Sequence, residues 1–283
     1  MKHVVAGPNI GIVASSTWTT PERFSVNVSR LMVEMKTGTH DRGTTFFPFY
    51  RYERLLGGKA QQVHNLTQEF VDKWSSATGT CLVATGSGDL EKTSGPDDVL
   101  FWLYALFHSP EYHRRYRAAL AQRFPIVLIS SDKQLLRALV KLGRELVNLH
   151  LLESPTLDKS RTEFIGDRNT KVESISWSNQ TVWIDRGKTT GFKGVPQAVW
   201  NFHVGGYPVC EKWLKDRKGR ALTKDDIGHY QKIIIALAET IRLMTKIDEV
   251  IEAHGGWPGA FQLTAPCDTV TAHPAELTAQ VIS

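Results

Sequence analysis

The sequence predicts an α+β fold, and three observations support this class. Apolar and β-branched runs recur up to Tyr50, a helical period of three and four residues begins near Asn65, and strand-like residues return between Lys171 and Asp185. We therefore expect a small N-terminal β-sheet with recognition loops, a helical middle, and a C-terminal helical bundle with a β-hairpin insertion.

Composition narrows the class of protein. Of the 283 residues, 41% are hydrophobic and 22% are charged, which is typical of a folded globular chain and excludes a disordered or fibrous one. The three cysteines, Cys81, Cys210 and Cys267, are far apart, which favours a reduced, cytoplasmic setting. No secretory signal follows Met1, and the longest uncharged apolar stretch is about half of a membrane span, so we expect no membrane partner.

The N-terminal region is expected to be β-rich. Polar loops separate its strands, and Pro48 predicts an edge or the end of a strand because proline cannot donate to a sheet. Loops on a β scaffold often carry recognition residues. The predicted strands are 9–14, 24–33 and 46–50, and the predicted loops are 15–23 and 36–45.

The helical middle is marked by capping residues. The pattern from Asn65 predicts a short helix containing Phe70 and Trp74, followed by a loop over 75–96. A second helix is expected to end near Phe107, and Ser109-Pro110 begins a third. A capping-box pattern at 131–134 then opens an amphipathic helix that ends near residue 153.

The C-terminal region combines a hairpin with helices. Ser178-Asn179-Gln180 predicts the turn of the hairpin, and a Gly-rich loop over 187–194 follows it. Short helices are expected after Pro196, broken by Gly205-Gly206, and over 209–216. A cap at 223–226 opens a helix of about 30 residues. We divide the chain into a β-rich region (1–62), a helical region (63–156), a hairpin and loop (157–194), a second helical region (195–256) and an irregular tail (257–283).

Motifs for catalysis are absent from the sequence. It contains no phosphate-binding loop, dinucleotide fingerprint, His-Glu-x-x-His, paired Cys-x-x-Cys or nucleophile elbow. We expect no catalytic residues, no cofactor and no metal. An unrecognised hydrolase remains an alternative, and it would require a pocket with converging titratable groups.

Three basic clusters stand out against a formal net charge of +5. Five potentially cationic groups lie within 113–123, five more within 212–220, and Arg186, Lys188 and Lys193 lie along the Gly-rich loop. A solvated helix face explains any one of them. Together they favour a nucleic-acid partner only slightly.

Two long segments carry a resemblance to a known family. The first contains Tyr104-Ala-Leu-Phe-His-Ser-Pro-Glu-Tyr112 and the run from Gly143 to Ser154. The second contains Trp200-Asn-Phe-His-Val-Gly-Gly-Tyr207 and Lys212-Trp-Leu-Lys-Asp-Arg-Lys-Gly-Arg220. Over nearly its whole length the chain resembles the C-terminal target-recognition, or specificity, domain of type ISP restriction–modification enzymes and related adenine-specific DNA methyltransferases.

The resemblance implies sequence-specific recognition of double-stranded DNA by a module without catalysis of its own. Its expected partners are DNA and the methyltransferase, helicase-like and nuclease domains of the same parent enzyme. For contacts to phosphates we favour six cations: Lys188, Lys193, Lys215, Arg217, Lys218 and Arg220. For contacts to bases we favour five residues of the N-terminal loops: Ser16, Trp18, Arg23, Lys36 and Arg42.

Two alternatives compete with these interpretations. Trp200, Phe202 and Tyr207 are at least as consistent with helix packing as with DNA contact. The chain as a whole also suits a protein–protein module that docks on a methyltransferase or motor domain through its long last helix, with incidental basic patches.

Overall fold

The computed structural model describes residues 7–15, 26–33, 44–54, 60–121, 125–159 and 162–261. Contacts between residues divide the chain into two compact units. The first unit comprises Met1–Val147 with Met244–Ser283, and the second comprises Asn148–Leu243. Helices and small sheets occur in both, so the predicted α+β class is confirmed.

A three-stranded antiparallel sheet begins the first unit. Strand β1 (Gly11–Ser15) lies between β2 (Val26–Ser29) and β3 (Thr44–Pro48). Ile12, Val13 and Ala14 are all buried, as expected of an apolar central strand. Pro48 ends an edge strand, which confirms its predicted place.

A hairpin that the sequence did not predict follows this sheet. It pairs β4 (Tyr50–Arg54) with β5 (Ala60–His64). Its strands are rich in Arg, Glu and Gln, so they lack the apolar alternation by which strands are recognised. Buried Asn9 connects it to β1, because its Nδ2 donates to the Tyr50 carbonyl at 2.7 Å.

The first helices follow their capping signals. They are α1 (Gln68–Thr78), α2 (Pro96–Phe107), α3 (Pro110–Leu120) and α4 (Lys133–His150), with a short parallel ladder of β6 (Cys81–Leu82) and β7 (Thr93–Ser94) before α2. The prediction of a loop from Ser75 was wrong. Helix α1 continues to Thr78 because Phe70, Trp74 and Thr78 lie one turn apart on its buried side, and Gly79 then ends the helix in the left-handed region.

The second unit contains a four-stranded antiparallel sheet. After a 3-10 turn (Pro155–Asp158) come β8 (Glu163–Ile165), β9 (Ser176–Ser178), β10 (Thr181–Trp183) and β11 (Gly191–Lys193), ordered β8-β11-β10-β9. The predicted hairpin of β9 and β10 is thus present. A portion of the predicted Gly-rich loop is strand β11, whose Phe192 is buried opposite Val182.

Helices complete the second unit and continue into the first. They are α5 (Gln197–Trp200), α6 (Val209–Lys215), α7 (Lys224–Ala253) and the turn α8 (Gly256–Gly259), with a hairpin of β12 (His203–Val204) and β13 (Tyr207–Pro208) before α6. Gly205-Gly206 was predicted to break a helix, but both glycines have positive φ and form the turn of this hairpin. The 30-residue length of α7 confirms the predicted long helix.

Candidate nucleic-acid interface

The cations of the segment 209–220, which we call the basic segment, are largely paired with carboxylates that lie close to them in the chain. Within α6, Lys215 Nζ lies 2.8 Å from Glu211 Oε1. Lys212 Nζ lies 2.6 Å from Asp216 Oδ2. Both pairs are separated by four residues and join side chains on one helix face.

The two arginines of the basic segment bind one carboxylate, that of Asp226. Arg217 Nε donates to Asp226 Oδ1 at 3.0 Å, and Arg220 Nη1 donates to Asp226 Oδ2 at 2.8 Å. The Arg217 guanidinium also lies 3.4 Å from the centre of the Trp213 ring, and its Nη1 donates to the Trp213 carbonyl. The guanidinium of Arg217 is therefore engaged in contacts that stabilise the fold.

Asp226 also takes part in the cap of α7, whose N-cap residue is Thr223. Its Oδ2 accepts from the Thr223 backbone N–H at 3.1 Å, while the Thr223 hydroxyl accepts from the Asp226 backbone N–H at 3.1 Å. This reciprocal pair is the predicted cap. Hydrogen bonds from Arg220 and then Arg217 hold the pKa of Asp226 below its usual range, against the opposing effect of burial.

Pairing leaves the basic segment with little free charge. Its five cations face three carboxylates, those of Glu211, Asp216 and Asp226. Within the described ranges, Lys218 is the cation of this segment that has no carboxylate at ion-pairing distance. The number of cations in this part of the sequence therefore overstates the positive charge that is available to bind a polyanion.

A second surface carries cations without such pairing. Val182 and its cross-strand partners, Trp177 and Phe192, face the core. Side chains one position along each strand point to the opposite side, which we call the outer face: Ser176, Ser178, Thr181, Trp183 and Lys193, of which Thr181 is buried. Lys193 is exposed, and no carboxylate in the described portion of the chain pairs with it.

Lys188 joins the outer face from the loop between β10 and β11. Its Nζ lies 3.4 Å from Ser178 Oγ, which also accepts from Trp183 Nε1 at 3.0 Å. Asp185 orders this loop by accepting from the backbone N–H groups of Thr189 and Thr190. The carboxylate of Asp185 is therefore occupied by the loop itself, and Lys188 is left exposed.

The turn of the β9–β10 hairpin lies beside these lysines. Asn179 and Gln180 are exposed and have φ of 50° and 57°, the conformation of a two-residue turn of type I′. The Gln180 carbonyl accepts from the backbone N–H groups of Gly194 and Val195, both at 2.8 Å. Sequence reasoning treated these residues only as a turn. The missed signal is that a type I′ turn here lacks the glycine it usually contains.

The other predicted residues are distributed as follows. In the first cluster, Arg114 and Arg115 both bind Glu111, and the hydrogen bond from Arg114 contributes most to lowering the pKa of Glu111 to about 2. Trp200 and Phe202 pack against the core of the second unit, in line with the packing interpretation. The five predicted base-contacting residues lie outside the described residues: Ser16, Trp18, Arg23, Lys36 and Arg42.

The described ranges contain no candidate for a metal site or a membrane span. No cluster of three or more His, Cys, Asp or Glu side chains there could hold a metal ion. None of the helices in those ranges is long and apolar enough to cross a bilayer.

Comparison with known protein families identifies the family to which the chain belongs. The model of the Type ISP C-terminal specificity domain matches residues 1–246, so the chain belongs to that family. The resemblance noted in the sequence is thereby confirmed. No curated protein matched the chain.

Solved structures show the same fold in larger proteins. One is described as the ATP-dependent Type ISP restriction-modification enzyme LlaBIII bound to DNA, with 18% identity and a TM-score of 0.63 over 85% of this chain. A nuclease-deletion mutant of the Type ISP enzyme LlaGI in complex with a DNA substrate mimic has 17% identity and a TM-score of 0.57 over 85% of this chain. The DrdV–DNA complex has 19% identity and a TM-score of 0.57 over 93% of this chain. The chain covers 16%, 18% and 25% of those three chains, respectively.

Proposed function

We propose that this chain recognises a specific sequence of double-stranded DNA for a restriction–modification enzyme or DNA methyltransferase, and that it has no catalytic activity of its own. The observation that carries the proposal is the match of the specificity-domain family to residues 1–246. It is supported by three structural neighbours that are complexes with DNA or with a DNA substrate mimic. The absence of catalytic motifs from the sequence is consistent with it.

The geometry suggests how the predicted phosphate contacts are divided. Lys188, Lys193 and Lys218 are exposed and have no carboxylate partner in the described portion of the chain. These three are the first contacts we propose, since each can neutralise a phosphate without breaking an ion pair. Lys215, Arg217 and Arg220 are paired, so contact with DNA would compete with existing bonds.

The base contacts remain a proposal from the sequence. We assign them to Ser16, Trp18 and Arg23 of one loop and to Lys36 and Arg42 of the other. Arginine can bind guanine through two hydrogen bonds, which gives about 1–3 kcal/mol of discrimination.

The proposal includes partners within the same enzyme. The structural neighbours are several times longer than this chain, which covers 16–25% of them. We assign methyltransferase, helicase-like and nuclease activities to other domains of the parent enzyme, which acts in the cytoplasm.

One observation weighs against the alternative of a docking module. The apolar side of α7 is used inside the second unit, where Tyr230, Ile234 and Leu237 are buried. Among the described residues, the large apolar side chains that are exposed are Leu31, Met32 and Leu152, none of them on α7.

The decisive experiment is a salt titration of duplex binding. Fluorescence anisotropy with a labelled random-sequence duplex is expected to give a log affinity that falls linearly with log salt concentration. Lys218→Gln should reduce the slope by about one. Lys246→Gln is the matched control, because Lys246 already pairs with Glu249 at 3.0 Å. No binding at about 50 mM salt, or equal slopes for both variants and the wild type, would contradict the proposal.

A further inference from the structure

The turn of the β9–β10 hairpin consists of two residues with amide side chains, and both have an unfavourable backbone conformation. Asn179 and Gln180 both have positive φ, which costs an L-residue other than glycine roughly 1–2 kcal/mol. Asparagine tolerates this region, but glutamine has no such preference. A turn alone would be formed better by Asn-Gly, so the Gln180 side chain requires another explanation.

The turn is rigid without help from its side chains. Thr181 pairs with Ser178 across the hairpin and with Lys193 on the other side. The Gln180 carbonyl accepts two backbone N–H groups at 2.8 Å. Because main-chain bonds fix the backbone, both amide side chains are presented to solvent at no further conformational cost to the backbone.

Neither amide is used within the described portion of the chain. Both residues are exposed, and no hydrogen bond of either side-chain amide to a described residue is present. An amide offers one donor and one acceptor side by side, and this pair matches N7 and the N6 amino group of adenine in the major groove.

Two cations lie beside the turn. Lys193 lies in register with Thr181, the residue after the turn, and Lys188 reaches Ser178, the residue before it. Two acidic residues border the same face. Asp185 is occupied by the backbone of its loop, and Glu163 lies in register with Lys193. The lysines thus bracket the amides on the outer face.

We propose that this hairpin turn is a base-contacting element, in which Asn179 or Gln180 binds an adenine in the major groove while Lys188 and Lys193 contact the neighbouring phosphates. This inference rests on the proposed function, since it specifies a contact within DNA recognition. It adds a base contact in the second unit to those assigned to the N-terminal loops.

The test removes both amides while keeping the turn. In Asn179→Gly with Gln180→Gly, the backbone adopts positive φ without strain, so the hairpin is retained. Circular dichroism and thermal unfolding of the full chain check this. Duplexes selected from a randomised pool by the wild-type chain are expected to contain an A·T pair that the double variant no longer selects. The loss of discrimination at that pair should be roughly 5- to 150-fold.

Two further variants sharpen the result. Asn169→Gly removes an exposed asparagine from another turn of the second unit, and it should leave the selected sequence unchanged. Asn179→Asp with Gln180→Glu replaces both donors by acceptors and should shift the preference from adenine towards cytosine, whose N4 amino group donates. Random-sequence affinity at low salt should be unchanged in the double-glycine variant, because phosphate contacts are kept.

The outcomes separate this inference from the proposed function. If the double-glycine variant selects the same sequence with the same strength as the wild type, the hairpin makes no base contact and the inference is wrong, while DNA recognition stands. If the wild-type chain selects no sequence and binds no duplex at about 50 mM salt, both fail. Loss of the A·T preference together with unchanged low-salt affinity supports the inference.

Discussion

The basic segment and the outer face of the four-stranded sheet are both cationic, but they differ in what their charges do. In the basic segment, Arg217 and Arg220 bind Asp226, and Lys215 binds Glu211. On the outer face, Lys188 and Lys193 have no carboxylate partner within the described ranges. The segment with more cations is therefore the one whose cations mostly form ion pairs that stabilise the fold.

The difference shows that cation density is a poor guide to a binding surface. Charges at helical spacing from carboxylates pair locally, and a phosphate must then displace an existing partner. Lys188 on its loop and Lys193 on the inner strand β11, which lies in register with Glu163, form no ion pair within the described ranges and so remain available. Substitutions on each surface test this difference.

Removing the charge of Asp226 should have the largest effect. Asp226→Asn weakens two arginine hydrogen bonds and half of the α7 cap, so we expect a loss of about 2–3 kcal/mol in the free energy of unfolding, measured in urea. Released arginines should also raise low-salt affinity for random-sequence DNA. The adjacent exposed Asp225→Asn is the control, and an equal loss in both variants would refute the special role of Asp226.

Acid should destabilise the second unit, which carries both surfaces. Burial lowers the pKa of His150 from 6.5 to about 4, and its Nε2 donates to the Thr240 hydroxyl at 2.9 Å. The unfolded chain therefore binds the proton more readily, and stability falls as the pH drops from about 6.5 towards 4, by on the order of 2 kcal/mol.

Urea denaturation across this pH range tests the effect of His150. His150→Gln, which can donate to Thr240 but does not titrate, should be less sensitive to pH between about 6.5 and 4 than the wild type. His203→Gln, at an exposed site, should follow the wild-type curve. Identical curves for all three chains would exclude His150 as the responsible group.

Neutralising single lysines should distinguish the two surfaces directly. Lys193→Gln on the outer face is expected to lower the slope of log affinity against log salt by about 0.9 and to weaken binding roughly five- to tenfold near 0.1 M salt. Lys215→Gln removes a lysine already paired with Glu211, so its change in slope should be smaller. Anisotropy titrations of both variants check this, and a reversed order would overturn the comparison.

Relieving strain in the hairpin turn should have the smallest effect. Gln180→Gly produces Asn-Gly, the preferred type I′ pair, and should raise the free energy of unfolding by about 0.5–1 kcal/mol. Asn169→Gly, at an exposed turn without positive φ, should give no gain. A loss of stability in Gln180→Gly would show that the side chain supports the fold.

The sequence predicted the elements with strong local signals. Thr223 and Asp226 cap α7, and the apolar period of α7 matches its buried side. The β4–β5 hairpin escaped prediction because its strands are polar, and the place of β11 depends on pairing with β8 and β10, which are distant in sequence. Local patterns contain no information about such pairings.

The candidate site was less predictable than the fold. Six cations were predicted for phosphate contact because of their clustering, but clustering also brings the carboxylates that neutralise them. Which cation pairs with which carboxylate depends on the position of Asp226, six residues beyond Arg220, in a helix cap. The sequence predicts Asn179 and Gln180 only as a turn, because their exposure and their lack of side-chain hydrogen bonds to described residues are properties of the folded chain.

The hydrogen bonds that fix the Gln180 carbonyl have a consequence for how such a domain can change its target. They involve only the main chain, so the two residues at the tip are constrained by the positive φ of their backbone and not by side-chain hydrogen bonds to described residues. With the base contact proposed above, exchanges of this dipeptide among residues that tolerate positive φ are expected to change the base pair that the chain selects, and a library of such exchanges is small enough to be surveyed completely.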